Sequence, residues 1–356
     1  MTALLKKKRR IGFDFTPFVY GRAAGYNEYA LSLIEGLVSC AREDCSIILF
    51  VRQDQRQHFI SLPSDFEVVG INVSSVVRRV LWQNLKLPFI GDIDFFVFTG
   101  NFAPLYIGTP YLLITHDLNY KKYAANFSAL GLAYRRFISK RSVLRAAVSV
   151  TGSEVVREEI SNEFGRVASV VYNPVRVSVE DAVEDRKIVV CPTSLALHKN
   201  AAATYDACMR FAAQFPDVKF YFIGNWAIED FPVKQRIPNI ELLGYVDDAV
   251  RSAIFASACC ILTASVYEGF GMPYAEAMLM NKSLICSNIP IANEVAVGYP
   301  FYIEAPFDAD AIYSALCKAY ISEFSPGIVD SFVIDRFRPR CAAKSYLELI
   351  NEHLQQ

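Results

Sequence analysis

EGFGMPYAEAM, Glu268 to Met278, is the stretch whose reading decides the fold. A strand-like apolar run, read from Ile254 to Val266, leads into it, and a helical apolar pattern from Pro273 to Met280 leads out. Two carboxylates, Glu268 and Glu276, stand with seven residues between them around a Gly-Phe-Gly turn. Glycine at 269 and 271 admits backbone shapes that other residues avoid, and it lets main-chain N–H groups come close to a ligand. Pro273 suits the first position of a helix, where its missing N–H costs nothing. A helix start beneath a glycine turn is a seat for phosphate. One carboxylate precedes that seat and the other lies about a turn into the helix, so a phosphate-bearing ligand can be met at both ends. A nucleotide-sugar, with sugar hydroxyls at one side and ribose hydroxyls at the other, has that shape. The competing account is a buried strand-to-helix turn whose glutamates only cap and solvate.

A chain of 356 residues is long enough for two domains, and 53% hydrophobic with 21% charged residues describes a globular protein with substantial cores. The net charge of -1 provides no global field for nucleic acid, which is disfavoured as a partner. Nine cysteines are scattered without a C-x-x-C pair, and several sit in apolar runs, pointing to free thiols in a reducing compartment. His58, His116, His198 and His353 are too dispersed for a helix-borne metal site, so no metal is expected. Asp92 and Asp94 form an Asp-x-Asp, but they precede a strand and so fall at the wrong edge of a sheet for a ligand. The N-terminus lacks the apolar core of a signal peptide, and Ile93 to Thr115 is too interrupted to span a bilayer. The bases Lys6 to Arg10 either touch anionic lipid or form a solvated tail. These features place the chain in the cytoplasm, with peripheral contact on the inner face of the cytoplasmic membrane as an open option.

Along the chain, Ile11 to Phe15 reads as a buried strand, and Gly21 onward as a glycine loop opening a helix in which Gly25 lets backbone approach phosphate. Ser46 to Arg52 is the next strand, so the chain starts as a parallel doubly wound sheet. Val76 to Phe89 reads as a helix ending near Pro88, followed by strands at IDFFVFTG and YLLITHD. His116 and Asp117 close the latter at the carboxyl edge, where open parallel sheets bind ligands. A helix rich in arginine, whose bases can meet an anionic or lipid-linked acceptor or simply face water, leads to the strands AVSVTGS and ASVVYNP. A polar, acidic segment from Val175 to Lys187 marks the hinge. The second half opens with IVVCPTSLALHKN, a strand ending in a loop with Ser194, His198, Lys199 and Asn200. KFYFIGN, IELLG and SLICSN supply further strands, and Arg338 to Leu354 forms an amphipathic helix.

The Glu-Gly-Phe-Gly turn with Pro273 and Glu276-Ala277-Met278, the His116-Asp117 pair and the Ser-Asn segment at 287–288 with the downstream Glu294 resemble the retaining GT-B glycosyltransferases of family 4, and mannosyltransferases among them. The resemblance covers nearly the whole chain and is densest from Ile188 to Phe307. It implies an α/β fold of two Rossmann-like doubly wound domains facing each other across a cleft. Residues 1–174 would hold the acceptor, 175–187 link, 188–337 hold the nucleotide-sugar, and 338–356 pack back on the first domain. Glu268 would orient the donor sugar, His116 would touch it from the opposite domain, and Glu276 would hold the ribose. Main-chain groups at Gly269, Phe270, Gly271 and Met272 would bind sugar and diphosphate. Lys199, with Ser194, would stabilise the leaving diphosphate as its charge develops. The family carries an arginine beside that lysine; here His198 stands before Lys199, and either it shares the part or an arginine arrives from elsewhere.

The expected activity is metal-independent hexosyl transfer without a cofactor, mannose from GDP-mannose leading and UDP-hexoses close behind. The acceptor would be a glycan or lipid-linked glycan in bacterial surface polysaccharide, such as lipopolysaccharide O-antigen. A nucleotide-sugar epimerase of the same fold and a noncatalytic binding module are the alternatives. No strand ends in G-x-G-x-x-G, which disfavours a dinucleotide oxidoreductase.

Overall fold

The computed structural model describes residues 8–21, 25–40, 45–177, 185–224, 227–231 and 237–355. The first half runs β1 (Arg9–Asp14), α1 (Gly25–Ser39), β2 (Cys45–Arg52), β3 (Phe66–Ile71), α2 (Val76–Leu85), β4 (Phe95–Phe98) and β5 (Tyr111–Thr115). It continues through α3 (Asn119–Lys122), α4 (Ala129–Arg145), β6 (Val148–Thr151), α5 (Glu154–Phe164) and β7 (Ser169–Val170). The second half begins β8 (Asp185–Pro192), α6 (Ala201–Gln214), β9 (Lys219–Ile223), β10 (Ile240–Gly244), α7 (Asp248–Ser257) and β11 (Ala258–Thr263). After α8 (Met272–Leu279) come β12 (Ser283–Ser287), α9 (Pro290–Ala296), β13 (Phe301–Ile303), α10 (Ala309–Ile321), α11 (Ser331–Asp335) and α12 (Pro339–Gln355).

Both sheets are parallel throughout, ordered β3-β2-β1-β4-β5-β6-β7 and β10-β9-β8-β11-β12-β13. Helices cover both faces, which is why FFVF, ACCILT and SLICS are buried at every residue and read as continuous apolar runs. Strand order reverses between β1 and β4 and between β8 and β11, and a crevice opens beyond the carboxyl ends at such a point. The two crevices face each other.

The chain passes between the halves at two places. Val175 belongs to the core of the second sheet, as does Phe337, and the Val175 N–H donates to the Phe337 carbonyl at 2.8 Å, so the two crossings run side by side. Beyond the second crossing, α12 lays Ala342, Ala343, Tyr346, Leu347 and Ile350 into the core of the first sheet, against Tyr29, Leu33 and Leu37 of α1. Gly36 permits that approach, since a Cβ there would stand 2.1 Å from the Pro339 carbonyl oxygen. The Tyr29 hydroxyl donates to that of Tyr346 at 3.1 Å.

Several boundaries differ from the sequence reading. Ile254 to Ser257 form the last turn of α7, capped at its start by Asp247, whose side chain accepts from the Val250 N–H. A continuous apolar run does not distinguish a buried helical turn from a strand, so the strand begins only at Ala258. Helix α2 stops at Leu85 and a 3₁₀ turn spans Leu87–Phe89, because Pro88 disfavours helical geometry in the residue before it. Strand β8 starts at Asp185, inside the stretch read as hinge, and 178–184 lie outside the described residues. Strands β3 and β13 are additions. Asp94 accepts from the Arg10 N–H at 2.7 Å at the amino end of β4, on the edge opposite the crevice.

Candidate functional site

The turn between β11 and α8 is built from its glycines outward. Gly271 has φ +80, and a Cβ there would also meet the Tyr274 ring at 2.2 Å, so only glycine fits. Pro273 follows in the first turn, and Tyr274, Ala275, Ala277 and Met278 anchor the helix in the second core. Gly269 is where the halves touch: a Cβ there would lie 2.1 Å from the His116 carbonyl oxygen, and the Gly269 carbonyl accepts from the Ser153 hydroxyl at 2.8 Å. The obstructing atom is backbone, so Gly269→Ala is expected to cost about 1–3 kcal/mol and to prise the halves apart. A lowered Tm in calorimetry, with transfer falling further than the lost stability explains, checks this; an unchanged Tm contradicts it.

Each carboxylate of the motif has its own cation. Glu268 Oε1 lies 2.5 Å from Lys199 Nζ, with side chains 12% and 26% exposed. Lys199 ends a 3₁₀ turn, Leu197–Lys199, and Asn200 at φ +55 turns the chain into α6. The loop is pinned by the Val266 N–H donating to the His198 carbonyl at 2.8 Å and by Asn200 Nδ2 donating to the Phe307 carbonyl at 2.7 Å. Deeper along α8, Glu276 Oε2 accepts from Arg251 Nη2 at 2.8 Å. The Arg251 guanidinium lies over the Phe255 ring, 4.2 Å from its centroid. Buried in that way, each partner makes the other tolerable, and removing one leaves an uncompensated charge.

Between the sheets lies a cavity of ≈ 710 Å³. The first half lines it with Pro17, Gly25, Tyr26, Gly100, Asn101 and His116, and with Arg79, Phe102 and Arg135. The second half contributes Thr193, Ser194, Lys199, Arg251 and the run Glu268 to Pro273. Both crevices at the strand-order reversals thus open into one space. A Cβ at Gly25 would stand 4.0 Å from Met272 Cγ of the second half. A smaller cavity of ≈ 270 Å³ adjoins, sharing Glu28 and Arg251, and Glu276 faces that one. Burial raises the Glu28 carboxyl above its ordinary value, offset by Arg251 and Arg176.

His116 is fixed from several sides. Its Nε2 lies 2.8 Å from the Thr99 carbonyl, its ring meets Tyr29 edge-on at 4.6 Å, and its N–H donates to Asn101 Oδ1 at 2.6 Å. A carbonyl only accepts, so Nε2 carries the proton and Nδ1 offers a lone pair. Burial holds the His116 pKa below the ordinary 6.5, against the opposing effect of the Thr99 bond. The folded protein therefore gains stability above pH 6.5 that it loses as pH falls through that value toward the depressed one, where the unfolded chain binds the extra proton. Denaturant titrations between pH 5 and 7 should show this slope, and His116→Gln should flatten it; identical profiles would contradict the assignment.

Of the residues singled out from sequence, Gly25, His116, Ser194, Lys199, Glu268, Gly269, Phe270, Gly271 and Met272 line the large cavity. Glu276 stands beside it behind Arg251. The His198 ring packs with Tyr123 at 5.2 Å and Tyr267 at 6.4 Å, and it is not among the residues lining either cavity. Burial and then the Lys199 charge lower its pKa, so it is a poor stand-in for a second cation. The arginines that do reach the space are Arg251, Arg79 and Arg135, none of them in the loop beside Lys199. Asp117, its carboxyl raised by burial, lines the cavity too, with Asn101. Of the Lys6 to Arg10 run, Lys6 and Lys7 lie outside the described residues, while Lys8 pairs with Asp65 and Arg10 with Glu67. Arg22 to Ala24 of the glycine loop also lie outside them.

Two facing parallel α/β sheets with a nucleotide-sized space over a glycine turn define the GT-B class of fold. Residues 186–321, a little over a third of the chain, match the family model described as Glycosyl transferases group 1. The chain is similar to O-antigen chain mannosyltransferase B of Escherichia coli, 41% identical over 80 residues, 22% of this chain and 21% of that protein. It is also similar to O-antigen chain mannosyltransferase RfbU of Salmonella typhimurium, 25% identical over 215 residues, 57% of this chain and 59% of the other. The matched parts span less than two thirds of either relative. Among solved structures, sucrose-phosphate synthase from Thermosynechococcus elongatus superposes with a TM-score of 0.71 at 14% identity, over 98% of this chain and 100% of that one, which shows the fold.

Proposed function

We propose that this chain transfers a hexose with retention of configuration, mannose from GDP-mannose being the leading donor, to a glycan or lipid-linked glycan of a bacterial surface polysaccharide. The observation that carries the reading is the Lys199–Glu268 pair at the glycine turn, in one cavity with His116 of the opposite half. The α8 start and Lys199 receive the diphosphate, whose charge grows as the sugar bond breaks. Glu268 hydrogen-bonds the sugar and fixes the anomeric carbon, and His116 contacts it from the other side. Glu276 holds the ribose. The acceptor hydroxyl attacks on the face the phosphate leaves, and that phosphate takes its proton. The similarity to O-antigen mannosyltransferases supports mannose and a surface-polysaccharide acceptor.

The test is release of nucleotide from a panel of GDP- and UDP-linked hexoses, with and without glycan acceptors. Release from GDP-mannose, accelerated by acceptor, is expected; release from none of the panel overturns the reading. An epimerised sugar still joined to its nucleotide would indicate the epimerase instead, and tight binding without turnover a binding module. Because a lysine and a helix start neutralise the phosphates, adding a chelator should leave the rate within about twofold; a loss of an order of magnitude or more would contradict this.

A further inference from the structure

Exposed large apolar side chains are concentrated on one face of the first half. On α4, Leu130, Tyr134, Phe137 and Leu144 recur at helical spacing, and Leu130 and Phe137 are 83% and 61% exposed. On α2, Val77, Leu81 and Leu85 form a second stripe, continued by Phe89 at 77% exposed. The 102–107 loop joins the two. Asn84 Oδ1 accepts from the Leu105 N–H at 2.7 Å, and Arg141 Nε donates to the Leu105 carbonyl at 2.6 Å, while Leu105 and Tyr106 point outward. No helix among the described residues is long and apolar enough to cross a membrane.

The charge on this face has one sign. Neither 68–91 nor 118–153 contains an acidic residue. Arg78 and Lys86 flank the α2 stripe, and Arg136, Lys140 and Arg145 flank that of α4, all exposed and none in an ion pair among the described residues. Lys121 and Lys122, by contrast, are paired with Glu163 and Glu159. Lys8 and Arg10, described residues of the basic run near the N-terminus, are likewise paired. Apolar stripes bordered by unpaired bases match the boundary of an anionic bilayer, where apolar side chains enter the acyl region and bases meet head groups. A protein partner would leave the bases needing matched acids, whereas a lipid surface supplies them at every position.

We propose that the face made by α2, the 102–107 loop and α4 docks this chain on an anionic bilayer. The same elements carry Arg79, Phe102 and Arg135 into the large cavity, so the docked face borders the cavity mouth. An acceptor standing in the membrane then reaches the site from the rim. That last point rests on the proposed function; the docking does not.

The full chain is tested by flotation with vesicles of phosphatidylglycerol and phosphatidylcholine, and with phosphatidylcholine alone. Binding is expected to the mixed vesicles, weakened by salt, and little to the neutral ones. The double variant Leu130→Ser with Phe137→Ser, and separately Arg136→Glu with Lys140→Glu, should each weaken partitioning by about tenfold or more. Nucleotide-sugar hydrolysis without vesicles serves as the fold control and should be unchanged in both, since none of the four residues lines the cavity. No binding by the parent chain at low salt, or variants that bind as the parent does, overturns the proposal. So does a parent dimer that Leu130→Ser with Phe137→Ser makes monomeric while vesicle binding stays constant, because the face then belongs to a second copy. Vesicle binding by a chain that hydrolyses no nucleotide-sugar would sink the donor reading and leave the docking surface standing.

Discussion

Replacing Glu268 with alanine is expected to lower kcat for sugar transfer by roughly 10³-fold with the fold intact. The carboxylate is mostly buried and held 2.5 Å from Lys199, which fixes its direction into the cavity before any donor arrives. A group already oriented needs no reorganisation when the sugar becomes cationic, and such preorganised charge is where the large rate terms lie. The substitution also frees Lys199 from its ion pair. Affinity for a nucleoside diphosphate should therefore hold or rise while turnover collapses. Calorimetric binding, initial rates and a melting curve separate the possibilities. Unchanged turnover removes Glu268 from the chemistry, and a melted protein makes its role structural.

Lys199→Ala should act on the other side of the same contact. Without the ammonium, the diphosphate loses the cation beside the glycine turn, and kcat/KM for the donor should fall by about 10²- to 10³-fold with the acceptor KM little moved. Glu268 is left 12% exposed and without its counter-ion, so a modest drop in Tm should accompany the kinetic loss. Lys199→Arg should restore binding more than rate, since a planar fork does not occupy the place of a point charge. Equal losses for donor and acceptor would argue that the loop only holds the halves together.

Much of this was legible in the sequence because the informative features are local. A glycine that must take φ +80, a proline just inside a helix and strands buried on both faces all leave marks in consecutive residues. The features that were missed are tertiary or ambiguous. Strand β3 carries Glu67 and Gly70 and lies at the sheet edge with most side chains half exposed, so it shows no continuous apolar run. Strand β13 is three residues long. Arg251 sits in a helix without any motif, 25 residues from the glutamate it pairs with, and nothing in the one-dimensional pattern joins them. For His198, adjacency in sequence does not mean a shared direction. In a 3₁₀ turn successive side chains point about 120° apart, so Lys199 enters the cavity while its neighbour turns into a cluster of tyrosines.

Opening and closing of the two halves has a geometry set by the paired crossings at Val175 and Phe337. A single strand of chain would act as a universal joint, but two strands fastened to each other act as a door hinge, with one easy rotation and a stiff response to twist. The Ser153–Gly269 bond lies close to that pivot, since the neighbouring Phe270 ring packs on Phe337 at 5.7 Å. A protease that severed only one strand would leave the molecule in one piece, yet the severed protein would realign its two halves loosely on every cycle.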